Sequence, residues 1–203
     1  MRRPSAGVLR RGSPWFGQLG LSTVSAPAPE ALNRAKSLFA VIPDYPEPGV
    51  TFQDITPVLA DPEGLTTLAE ALLAPFAGQF DLIAGIEARG FLLAGAMAGL
   101  TNARGGSAGV LTIRKAGKLP SPAAKVSYEL EYGSAAIEAP DVLRPGHRVL
   151  IVDDVLATGG TIAACRELVT ELGAEVVGAT AVMKVEALDG EKIAGEVHSL
   201  FSC

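Results

Sequence analysis

The stretch Arg148-Val149-Leu150-Ile151-Val152-Asp153-Asp154-Val155-Leu156-Ala157-Thr158-Gly159-Gly160-Thr161 constrains the fold more than any other part of the chain. Val149 to Val152 are consecutive aliphatics, mostly β-branched, and such a run reads as a strand covered on both faces, as in the middle of a parallel sheet. Asp153 and Asp154 follow where that strand is expected to end. In open α/β sheets ligands bind beyond the carboxyl ends of the strands, so the two carboxylates are placed to meet a solute rather than to fill a core. Ala157-Thr158-Gly159-Gly160-Thr161 is small and Gly-rich and opens an amphipathic run from Ile162 to Leu172. Its backbone N–H groups can converge on an anion at a helix N-terminus, with the Thr hydroxyls adding donors. An anion site beside two acceptors points to a sugar phosphate, the ribose hydroxyls on the acids and the 5′-phosphate on the loop. The chain carries neither a G-x-G-x-x-G dinucleotide loop nor a G-x-x-x-x-G-K-[ST] loop.

Composition narrows the class. With 203 residues, 48% of them hydrophobic, the chain suits one domain with a sizeable core. Its apolar runs are short and broken by Gly, Pro or charge, so a membrane span is not expected. Cys165 and Cys203 offer neither a disulfide framework nor a metal-ligand spacing, which fits a reducing cytoplasm. His147 and His198 are the only histidines, so a His-built zinc site is not expected either. Charge is uneven: residues 1–34 carry a net of +4 and the remainder −9. An acidic body argues against nucleic acid as the main partner and requires local donors, with a divalent cation, to hold any polyphosphate.

Met1 to Pro29 is rich in Arg, Ser, Gly and Pro without periodicity and reads as a disordered extension, so residues 1–35 are taken as an Arg-rich appendage and 36–203 as the folded domain. Leu32, Ala35, Leu38, Phe39 and Ile42 stand at helical spacing within Glu30 to Ile42. The Pro-rich stretch from Pro43 to Pro57 predicts a shaped surface loop, too rich in Pro for a helix or a central strand. Asp61-Pro62-Glu63 predicts the capped start of a helix running to about Ala77. Asp81 to Ile86 predicts a strand ending at the charged Glu87-Ala88-Arg89-Gly90-Phe91, ahead of a small-residue helix from Leu92 to Leu100. Gly90 permits close backbone approach there, as a pyrophosphate requires. Val110 to Ile113 predicts a strand feeding the basic run Arg114-Lys115-Ala116-Gly117-Lys118-Leu119-Pro120. Ser121 to Val126 reads as a mobile flap, and Ser127-Tyr128-Glu129-Leu130-Glu131-Tyr132-Gly133 alternates like a strand. Glu175 to Met183 predicts a further buried strand, Leu188 to Ala194 a short helix and Val197 to Phe201 an edge strand. The fold class expected is α/β, with a mostly parallel central sheet flanked by helices.

The Arg148–Thr161 string resembles the 5-phosphoribosyl-1-pyrophosphate (PRPP) signature of type I phosphoribosyltransferases, and three further strings in the same order resemble the adenine branch of that family. The resemblance covers about residues 36–203. It implies the family's fold, with a small hood from the N-terminal segment and a flexible catalytic loop, and it implies that adenine and PRPP give AMP and pyrophosphate with Mg2+. On the Pro43–Pro57 string it implies that Phe52 stacks on adenine while the backbone of Thr51 and Gln53 reads the base edge. An adenine edge pairs a donating amine with an accepting ring nitrogen, which suits one C=O and one N–H. Glu87, Ala88 and Arg89 match the family's pyrophosphate loop, where Asp-Ser-Arg is usual, and Arg89 is implied to approach the base and the reaction centre. Arg114, Lys115 and Lys118 match residues that hold pyrophosphate, and Arg114 is one that a neighbouring subunit can supply, which implies a homodimer. Glu131 is implied as the acid/base residue near N7 of adenine, with Tyr132 closing the lid. Asp153, Asp154, Ala157, Thr158, Gly159, Gly160 and Thr161 are implied to bind PRPP and AMP. Mg2+ is implied to be carried by PRPP and pyrophosphate near Asp153 and Asp154, without a dedicated protein site. The competing readings are a non-catalytic PRPP-binding regulator, which would call for a DNA-binding segment, and a transferase for 6-oxopurines, which would favour a side-chain donor to the 6-oxo group.

Overall fold

The computed structural model describes residues 25–45, 47–129 and 133–203. Along them run α1 (Pro29–Ser37), β1 (Ala40–Ile42), β2 (Phe52–Asp54), α2 (Thr56–Ala60), α3 (Pro62–Leu73), β3 (Leu82–Ile86), α4 (Arg89–Ala103), β4 (Gly109–Lys115) and β5 (Ala124–Glu129). They continue with β6 (Ser134–Ala139), β7 (Arg148–Leu156), α5 (Gly160–Glu171), β8 (Glu175–Lys184), α6 (Glu191–Ala194) and β9 (His198–Ser202). Seven strands make one sheet in the order β5-β6-β4-β3-β7-β8-β9, parallel from β4 to β9 and closed at the other edge by the antiparallel β5–β6 hairpin.

The aliphatic run sits at the middle of this sheet, as its sequence requires. Alternate residues of β7 enter two separate cores: Val149 and Ile151 pack with Ile162, Cys165 and Leu168 of α5, whereas Leu150 and Val152 pack with Leu72 of α3 and Leu93 and Met97 of α4. All four β7 side chains are fully buried. Each removes its apolar surface from water on folding, worth about 2 kcal/mol per side chain. Asp81 gathers the starts of three strands. Its carboxylate accepts from the Arg148 backbone N–H at 2.9 Å and from the Arg148 guanidinium at 2.7 Å, while its own carbonyl accepts from the Gly109 N–H at 3.0 Å.

Several boundaries differ from expectation. The helix expected over Glu30 to Ile42 stops at Ser37, because Phe39 turns inward to meet Phe201 edge-on at 5.4 Å and Ala40 to Ile42 pair with β2. It also begins ahead of residue 36 and docks on α3, with Arg34 donating to Asp61 at 2.7 Å and Ala35 buried. Residues 1–24 of the expected extension lie outside the described residues. The Pro-rich stretch is not all loop. It holds β2, which pairs only with β1, and α2, whose Pro57 falls in the first turn, where a missing N–H breaks no helical bond. Asp61 caps α3 as expected, accepting from the Gly64 N–H at 2.7 Å, but α3 ends at Leu73, and a 3-10 turn carrying Pro75 completes the segment. The segment read as a flap is partly strand, since Ala124 to Val126 pair with β6. Strand β6 itself was not expected.

Candidate active site

Three adjacent parallel strands, β4, β3 and β7, bring the residues expected to bind pyrophosphate and the sugar to one edge of the sheet, whereas Phe52 and Gln53 come from the separate β1–β2 ribbon. The acids do not end β7, which continues to Leu156 paired with β8. On its other side the pairing with β3 stops at Val152, so the strand opens toward the site where Asp153 and Asp154 begin. Asp153 is 9% exposed and its carboxylate accepts from the Asp154 N–H at 2.9 Å. Burial, then the neighbouring Asp154 charge, push the Asp153 carboxyl well above the usual carboxylate range.

The phosphate-type loop follows. Gly159 takes φ +87° and starts α5, whose first backbone bond runs from the Ala163 N–H to the Gly159 carbonyl at 3.0 Å. No side chain caps this helix, so its first turn presents N–H groups and the positive end of its dipole to the site. The loop is shaped by a second glycine from elsewhere in the chain. A Cβ on Gly159 would stand 2.1 Å from the Gly190 carbonyl oxygen, and a Cβ on Gly190 would stand 2.1 Å from the Ala157 carbonyl oxygen. The two backbones therefore interlock at van der Waals distance. Thr161 donates to the Tyr128 hydroxyl at 3.1 Å, tying the same helix start to β5.

At the end of β3 the Glu87–Ala88 peptide is cis and α4 begins at Arg89. Here too glycines set the fit, since a Cβ on Gly85 would stand 2.4 Å from the Gly90 carbonyl oxygen and one on Gly90 2.8 Å from the Val152 carbonyl oxygen. This close packing places Arg89 beside β7. Its Nε lies 3.0 Å from Asp154 Oδ2, another of its nitrogens lies 3.6 Å from Asp54 Oδ1, and its guanidinium carbon lies 5.8 Å from the centre of the Phe52 ring. One cation thereby joins the segment expected to bind the base to the acids expected to bind the ribose. Phe52 also meets Tyr45 edge-on at 5.4 Å, while Gln53 is half-buried and Thr51 is exposed.

Glu87 turns toward the basic run. Its carboxylate accepts from the Lys115 N–H at 2.9 Å and from Arg114 Nε at 3.1 Å, and these bonds hold it below the usual carboxylate range. Arg114 in turn lies 5.8 Å from the centre of the Phe91 ring, and Lys115 and Lys118 are exposed. A cavity of about 480 Å3 lies between these elements, lined among others by Glu87, Lys115, Tyr128, Asp153, Asp154 and Thr161. A larger one of about 810 Å3 lies beside β9, and none of the expected site residues lines it. Among the described residues no group of three or more His, Cys, Asp or Glu side chains could hold a metal ion. Glu131 and Tyr132 lie outside the described residues.

Some participants are not evident from the sequence. Asp54 could have been suspected from Asp54-Ile55-Thr56-Pro57, a helix-start pattern, and it does accept from the Thr56 N–H at 3.0 Å. Tyr128 stands in the alternating run without a mark to distinguish it. Gly190 has no local signal, because its role is a contact with a loop distant in sequence.

A phosphoribosyl transferase domain model matches residues 55–201. An adenine phosphoribosyltransferase of Renibacterium salmoninarum is 53% identical over 80% of this chain and 88% of its own length, and one of Mycolicibacterium gilvum is 49% identical over 82% and 92%. The chain belongs to the adenine phosphoribosyltransferase family. Among solved structures, the adenine phosphoribosyltransferase of Rhodothermus marinus matches with a TM-score of 0.77 at 44% identity, covering 86% of this chain and 99% of that one. That of Saccharomyces cerevisiae, complexed with an imino-altritol bisphosphate and adenine, matches at 0.76 and 35%, covering 84% and 98%. Family membership accounts for the mostly parallel sheet flanked by helices. The matched span includes the Arg148–Thr161 string.

Proposed function

We propose that this chain transfers the 5-phosphoribosyl group of PRPP to adenine, releasing pyrophosphate and leaving AMP. The observation that carries the reading is the Arg89 guanidinium, which joins Asp154, at the head of the phosphate-type loop, to Phe52. A base seated on Phe52 then lies within reach of a sugar seated on the acids. The names of the relatives support the substrate, as does the adenine in the yeast complex.

Residues Ala157 to Thr161 take the 5′-phosphate on the first N–H groups of α5. Asp153 and Asp154 accept from the ribose hydroxyls and favour the positive charge that builds on the ring as C1′ parts from pyrophosphate. Arg114, Lys115 and Lys118 hold the departing pyrophosphate, alongside the backbone of Glu87, Ala88 and Arg89. Thr51 and Gln53 read the adenine edge through their main chain, Glu131 handles the proton of the base, and Tyr132 helps close the site against water. PRPP and pyrophosphate would carry Mg2+, with Asp153 and Asp154 nearby rather than forming a dedicated protein site. The metal, when bound, neutralises charge on the leaving group. The active form is a homodimer in which Arg114 serves the neighbouring site. Support comes from the exposed Leu92, next in sequence to the Phe91 ring that Arg114 faces. The setting is cytoplasmic, in keeping with the free thiols of Cys165 and Cys203. Among the described residues no helix is long and apolar enough to cross a membrane.

The test is AMP formation from PRPP with adenine, hypoxanthine or guanine, with and without Mg2+, in wild type and Glu131→Ala. Turnover is expected with adenine alone, lost on chelation, and reduced about a hundredfold in kcat by Glu131→Ala while PRPP still binds. Tight PRPP binding with no turnover of any purine would overturn the reading in favour of a regulator.

A further inference from the structure

Glu138 is a buried charge that the reaction does not use. It lies on β6 opposite Arg114 of β4 and is 2% exposed. A carboxylate is rarely buried unless hydrogen bonds satisfy it. Here one oxygen accepts from the backbone N–H groups of Lys118 at 2.8 Å and Leu119 at 2.6 Å, and the other from that of Gly117 at 3.1 Å. Successive N–H groups converging on an anion form a nest, a device that elsewhere binds phosphate. In this chain the nest is filled by the chain's own side chain.

The neighbouring donors are occupied as well. The Lys115 N–H goes to Glu87 at 2.9 Å and the Ala116 N–H to the Ala136 carbonyl at 2.9 Å. Every backbone donor from Lys115 to Leu119 is thus taken, that of Lys115 by Glu87 just past β3 and the others by β6, and Gly117 supplies the φ of +85° that the turn needs. A loop held this way can offer an anion only its side chains, and their starting points are fixed by the backbone. Lys125, paired in register with Glu138, adds a cation nearby.

We propose that Glu138 is a positioning residue for pyrophosphate: by filling the nest at residues 117–119 it fixes the backbone from which Arg114, Lys115 and Lys118 reach the leaving group. The inference rests on the reading of that loop as the pyrophosphate site. Without the carboxylate the amides are released and the lysines lose their common frame.

The test uses Glu138→Ala and the near-isosteric Glu138→Gln, assayed in both directions, with folding followed by circular dichroism and AMP affinity by titration calorimetry. Glu138→Ala is expected to raise KM for PRPP and for pyrophosphate about tenfold or more, with KM for adenine and Kd for AMP unchanged. Added formate should restore part of the loss by refilling the nest, and should leave wild type unaffected. Glu138→Gln should be intermediate, since its amide turns an N–H toward one of the donors. Wild-type KM for pyrophosphate in both variants, an equal loss of AMP affinity, or failure of both to fold would overturn the proposal. Lys115→Ala and Lys118→Ala separate the two readings. If they leave the pyrophosphate KM unchanged, the loop assignment falls and Glu138 with it; if they raise it while the Glu138 variants do not, the Glu138 proposal falls alone.

Discussion

Gly190→Ala isolates one contact between a helix start and the phosphate-type loop. Gly190 has φ −58° and ψ −21°, an ordinary helical conformation, so alanine meets no backbone penalty there. The smaller conformational freedom of the unfolded chain alone would favour the change by up to about 1 kcal/mol. The added methyl, however, would stand 2.1 Å from the Ala157 carbonyl oxygen and 3.0 Å from Leu156 Cδ1. Leu156, though buried, needs to give by only a few tenths of an ångström. The carbonyl belongs to the loop and must retreat by roughly 1 Å to reach ordinary contact, and a displacement of that size in a binding loop costs on the order of a hundredfold in catalysis. Overpacking adds a destabilisation of about 1–3 kcal/mol, so the net change in stability is a loss. Steady-state kinetics with PRPP varied at saturating adenine should show the effect in KM for PRPP, with KM for adenine close to wild type. A thermal melt should show a lower Tm. Wild-type KM for PRPP together with a raised Tm would mean that the loop takes its shape without Gly190, and the argument from the interlocked glycines would fail.

Two further outcomes depend on pH. The Asp153 carboxyl is raised in the folded state, so between the ordinary carboxylate pKa and that raised value the folded chain binds more protons than the unfolded one, and stability falls as pH rises. Asp153→Asn removes that loss. The variant should match wild type in strongly acid solution, exceed it in Tm by a few degrees at about pH 7, and lose most of its activity; a lower Tm at neutral pH would refute the account. The Asp81 carboxyl is instead held down to about 2, first by the Arg148 guanidinium. Its contribution is fully present above the ordinary carboxylate pKa and is lost as pH falls through the folded value. Asp81→Asn should therefore destabilise at neutral pH by about 1 kcal/mol, a figure kept small because Arg148 and Asp81 are 42% and 41% exposed. In urea melts the gap to wild type should narrow as pH falls from about 4 toward 2, and a constant gap would count against the ion pair.

What the sequence made legible was local. Val149 to Val152 announced a central strand because a strand covered on both faces has no polar alternation, and each of the four is indeed buried in one core or the other. Asp61 announced its helix because the cap and its N–H lie three residues apart. The Asp153–Asp154 pair and the Glu87–Arg89 string were recognisable as charges at strand ends. What stayed hidden depended on partners distant in the chain. Strand β6 is mostly small residues and takes its conformation from pairing with β4 and β5. Glu138 carries no mark in the sequence, and its role emerges only where Gly117 to Leu119 close over it. Asp153 read as a strand end, yet β8 carries the pairing three residues further, to Leu156.

Phe52 belongs to a ribbon of two short strands that pairs with no strand of the main sheet. The part of the molecule expected to choose the base is thus carried separately from the part expected to handle the sugar and its phosphates. Over evolutionary time such a division lets the ribbon accumulate substitutions and accept a different heterocycle without disturbing β3, β4 or β7. Arg89 limits that freedom, because any new ribbon must still present a ring and an acid to the same guanidinium. Descent with altered specificity would therefore be written first in residues 40–54, and last in the sheet.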